Sequence, residues 1–88
     1  MIERDDPILA LLPNDDDLPI SYRQLNADER GWRGRLMVMT WIVTGNETYA
    51  WSVAVADGEP HNSESKRLVA SIPDQRLVEE LAQRPLRK

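Results

Sequence analysis

The chain has 88 residues, a formal net charge of −4, 41% hydrophobic and 30% charged residues, and no cysteine. Such a length suits a single small domain, 1–88, with a thin core; the composition excludes a disordered chain, and the lack of Cys excludes disulfides and thiol chemistry. Charge is uneven: residues 1–31 carry eight acids against three arginines and the rest seven acids against eight bases, which disfavours non-specific nucleic-acid binding.

The N-terminus, MIERDDPILALLPNDDD, is acidic where a signal peptide is positive, and its apolar run from Ile8 to Leu12 is too short for a membrane span. The expectation is a cytoplasmic protein with no membrane association. Arg outnumbers Lys nine to two, which points to a GC-rich bacterial or phage genome. DPILALL reads as a short helix with Asp5 or Asp6 as cap and Pro7 at its first position, and Pro13 ends it. NDDDLP follows as a loop, so residues 1–19 form a partly irregular acidic segment. ISYRQL, residues 20–25, fits an edge strand or a helix start, and NADERG a connection or one helical turn.

The centre of the chain, RLMVMTWIVTGNETYAWSVAVADG (35–58), reads as a β-hairpin. Gly45-Asn46 suits a two-residue turn, because Gly supplies the positive φ that primed turns demand. That register pairs Ile42 with Tyr49, Thr40 with Trp51, Val38 with Val53 and Leu36 with Val55 on one bulky face. The other face sets Met37, Met39, Trp41 and Val43 beside Ala54, Ser52, Ala50 and Thr48.

After the polar loop GEPHNSES, residues 66–72 (KRLVASI) read as a third strand, with a helical turn as the competing reading. Residues 73–84 read as a helix carrying Leu77, Val78 and Leu81 on one stripe. The expected fold is α+β: an antiparallel sheet of three to four strands around a central hairpin (34–57), packed by the C-terminal helix (73–84), with a short N-terminal helix. That helix covers the bulky face, since apolar burial returns about 25 cal/mol per Å². Three things can cover the Met/Trp face: the N-terminal Ile8, Leu9, Leu11 and Leu12, a second copy in a homodimer, or another protein.

No catalytic, cofactor or metal signature emerges. Asp57, Glu59 and His61 alternate, but alternation does not supply converging ligands. Ser63 and Ser65 have no oriented base. NDDDLP lacks the order of a calcium loop, Glu79 and Glu80 point in different directions on a helix, and GWRG lacks the context of a phosphate loop. The acidic first third is too diluted by arginine to mimic a nucleic acid. RGWRGR, residues 30–35, does combine cations with a stacking surface. It fits an acidic protein surface or single-stranded nucleic acid, or else a structural role in which Trp32 caps the core and the arginines pair with acids of the same chain.

The sequence therefore points to a non-catalytic protein that binds another protein and blocks, adapts or neutralises it. A small inhibitor, an adaptor or an antitoxin-like regulator fits this size, a phage anti-defence inhibitor being one form. The contact residues expected are Arg30, Trp32, Arg33 and Arg35, with Met37, Met39 and Trp41 as apolar neighbours. The alternative is a nucleic-acid-binding module using the Arg/Trp patch.

Overall fold

A computed structural model describes residues 6–13 and 15–83. Among the described residues, five α-helices follow two single 3₁₀ turns at Leu9–Leu11 and Asp15–Asp17: α1 Ile20–Arg23, α2 Ala27–Thr44, α3 Glu47–Ala54, α4 His61–Ala70 and α5 Asp74–Gln83. The described residues contain no strand, so the expected α+β fold, its sheet and its small alpha+beta domain class are corrected to an all-helical fold. Asp5, Asn14 and Arg84, on which parts of the sequence reading fall, lie outside the described residues.

The expected hairpin is a helix pair, and its caps show why. Asn26 accepts the Glu29 N–H at 2.8 Å and opens α2. Gly45 ends α2 with φ 71° in the left-handed region, its N–H returning to the Trp41 carbonyl. Asn46 then accepts the Tyr49 N–H at 2.9 Å and opens α3. Gly-Asn is thus a helix stop followed by a helix start, not a primed hairpin turn. Within α2, Thr40 and Thr44 donate their hydroxyls to the carbonyls four residues back, at 2.8 and 2.7 Å, which satisfies side chains that otherwise favour strands.

Residues 66–72, expected as a strand, fall mostly in α4, which buries Ser65 and Val69 four residues apart. The expected N-terminal helix shrinks to the 3₁₀ turn Leu9–Leu11, which Asp6 caps by accepting the Ile8 and Leu9 N–H groups. The expected C-terminal helix is α5, burying Leu77 and Leu81.

Helix α2 lies at the centre and packs against α3, α4, α5 and the turn at Leu9–Leu11. The main core gathers Ile8, Met37, Val38, Trp41, Ala50, Ala54, Leu77 and Leu81, and a smaller one Trp32, Leu36 and Val69. Ala50 and Ala54, one turn apart, are fully buried and let α3 approach α2 closely. Gly34 does the same on another side of α2: a Cβ there would sit 2.7 Å from Leu9 Cδ2 and 2.9 Å from Tyr22 Oη. Tyr22, itself buried, donates to the Arg30 carbonyl at 2.8 Å and meets the Trp51 ring edge-on at 5.2 Å. No helix among the described residues is long and apolar enough to cross a membrane.

Candidate functional site

The RGWRGR stretch forms nearly two turns of α2, and its arginines reach to three different parts of the chain. Arg33 is only 3% exposed. Its guanidinium donates to Glu29 Oε1 at 2.7 Å, to the Ala54 carbonyl at 2.9 Å, to the Ala56 carbonyl, and to Asp57 Oδ1 at 3.2 Å. It thereby closes the C-terminal end of α3, where orphan carbonyls and the helix dipole favour a cation. The bond to Arg33 holds the Glu29 carboxyl below its ordinary range. Asp57 is also lowered, first by the Asn62 amide and then by the Arg33 charge.

Arg35 is a clasp between distant segments. It grips Asp74 with two parallel bonds of 2.8 Å, meets Asp6 at 2.9 and 3.1 Å, and donates to the Gly31 carbonyl at 2.9 Å. Fork-to-carboxylate geometry of this kind is strong and directional. Hydrogen bonding to Asp74 raises the guanidinium above its ordinary value, with Asp6 adding to it, and holds the Asp74 carboxyl below its own. Arg30 donates to the Arg23 carbonyl at 2.7 Å and lies over the Tyr22 ring at 5.7 Å. Trp32 is buried with the Arg33 guanidinium 4.4 Å and the Lys66 ammonium 5.7 Å from its ring centre.

The apolar neighbours separate as well. Met37 and Trp41 lie in the main core with Ile8 of the N-terminal segment, whereas Met39 is half-buried. Met39 opens onto a surface that sequence reasoning did not single out. It lines two apolar grooves on either side of α2. One runs between α2 and α5 past Ile42, Val43, Ile72, Arg76, Leu77 and Glu80. The other runs between α2, α3 and α4 past Leu36, Val43, Tyr49, Val53 and Leu68. Val43 forms the ridge between them and is 83% exposed, with Tyr49 at 52% and Leu68 at 50%. The signal was the spacing Leu36, Met39, Thr40, Val43, which marks one helical face once the segment is read as a helix.

This surface is largely apolar. Its polar groups are Thr40, Thr44, Ser65, the Tyr49 hydroxyl and, on α5, Arg76 and Glu80. Ser63, elsewhere, donates to Glu59 Oε1 at 2.6 Å in the open. No group of three or more His, Asp or Glu among the described residues is placed to hold a metal ion. What the α2 face offers is contact area: large apolar side chains in shallow grooves beside mixed charge. Comparison with protein-family models, with curated proteins and with solved structures returned no match to the chain.

Proposed function

We propose that the protein is a non-catalytic binding module that recognises another protein through the exposed face of α2. The observation that carries this reading is Val43, almost fully exposed on the ridge between two apolar grooves, with Tyr49 and Leu68 beside it. Contiguous exposed apolar surface on a small domain marks an interaction site more often than scattered single residues do. The Met39 side chain, which reaches both grooves, adds the adaptability that suits recognition. By covering a partner's surface, such a module blocks or adapts that partner.

The nucleic-acid alternative draws on less. Arg33 and Arg35 direct their donors to carbonyls and carboxylates of the same chain, and Trp32 is buried, so the patch offers little to phosphates or bases. The test is photo-cross-linking from a probe at Val43 and, separately, at Glu64 on the exposed part of α4. Partner adducts from Val43 but not Glu64 are the expected result. Equal labelling from both, or none from either, removes the interface from α2.

A further inference from the structure

We infer that the occupant of the α2–α5 groove is a second copy of this chain, arranged as a two-fold dimer with its α5 helices antiparallel. The inference rests on the interface reading above and names its partner. The groove is apolar along Met39, Ile42 and Val43, and α5 contributes Arg76 and Glu80 to its lining. Neither charge takes part in an ion pair among the described residues. The two lie four residues apart, about one helical turn or 6 Å along the axis. Antiparallel α5 helices related by a two-fold axis near residue 78 set Arg76 of each copy against Glu80 of the other. Both cross-pairs then form together.

An isologous interface requires this self-complementarity, since each contact occurs twice with the roles exchanged. The negative charge is concentrated in residues 1–31, with eight acids against three arginines, whereas residues 32–88 carry eight bases and seven acids. Val43, projecting between the grooves, supplies the apolar contact of each copy with the other.

The experiment is light scattering with size exclusion across a concentration series, on the full chain and on Val43→Glu, Arg76→Glu and Arg76→Glu/Glu80→Arg. The wild type is expected to be a dimer. Because each change acts twice, Val43→Glu should raise the dissociation constant at least about 100-fold. Arg76→Glu should raise it about 10-fold, and the double exchange should restore it. Circular dichroism checks that each variant keeps its helices, which the exposure of Val43 leads one to expect. A wild type that stays monomeric throughout overturns the second copy. So does a dimer that Val43→Glu leaves intact. In the monomeric case, a cross-link to another protein from position 43 keeps the interface reading, and its absence removes both.

Discussion

The Arg33 guanidinium, buried in the middle of the fold, donates to the Ala54 carbonyl at 2.9 Å and so ties the first half of α2 to the far end of α3, 21 residues away in sequence. The same group reaches Glu29, the Ala56 carbonyl and Asp57. A cation that the sequence left open to a partner-facing or a structural role finishes a helix of its own chain.

Replacement of Arg33 therefore tests stability. Arg33→Met leaves the Ala54 carbonyl buried without its donor and is expected to cost about 3 kcal/mol in urea unfolding. Arg33→Lys should recover only part of this, because one ammonium cannot reproduce the fork. If Arg33→Lys unfolds at the wild-type urea concentration, the multiple bonds do not matter to stability.

The Arg35–Asp74 clasp predicts a pH profile. Asp74 is held below its ordinary value of 3.8 by Arg35, and Glu29 below 4.5 by Arg33. A carboxyl whose value is lower folded than unfolded contributes stability that is complete above the unfolded value. That contribution is lost as pH falls through the folded one. The urea midpoint should thus stay flat from neutrality to about pH 5 and decline below it. Asp74→Asn should start lower and decline less, so that the two curves converge in acid. Parallel curves would mean that the clasp does not drive acid unfolding.

Two glycines of α2 predict opposite signs. A Cβ on Gly31 meets only Arg35 Nη1 at 3.8 Å, so Gly31→Ala should stabilise by about 0.5–1 kcal/mol through helix propensity. A Cβ on Gly34 drives into Leu9 and the Tyr22 hydroxyl, and Gly34→Ala should destabilise by about 1–3 kcal/mol. Thermal melts of the two variants read the contrast. Gains of equal size would show that Leu9 and Tyr22 yield freely.

Trp41 and Val43, two residues apart on α2, should separate core from surface. Trp41→Ala opens the main core and is expected to cost about 3–5 kcal/mol. Val43→Ala, at a largely exposed site, should change stability by less than about 0.5 kcal/mol. A Trp41→Ala chain as stable as the wild type would place that ring outside the core.

The sequence was legible where one periodicity stood alone. In α5, Leu77, Val78 and Leu81 alternate with charged residues, and only a helix explains their spacing. Residues 36–43 are apolar at every position but Thr40, so they satisfy a period of two and a period of 3.6 alike. The β-branched residues then tipped the reading toward a strand. The deciding signals were small: Asn26 three residues before Glu29, Asn46 three before Tyr49, and a Gly that terminates helices as readily as it turns hairpins. Helix α4 buries two residues of ten and has almost no pattern to read. The arginines, open to both a partner-facing and a structural reading, were undecided for another reason. Their partners Asp57, Asp6 and Asp74 lie 24, 29 and 39 residues away, and only the folded chain brings them within reach.

Every substantial contact between elements has α2 on one side among the described residues. Yet α2 holds two glycines and five β-branched residues in 18, and in isolation it would be a weak helix. The hub cannot stand without its spokes, and the spokes scarcely hold one another. Such a wheel assembles in one step: α2 acquires its shape only as its neighbours arrive, and no pair of peripheral helices persists once it is gone.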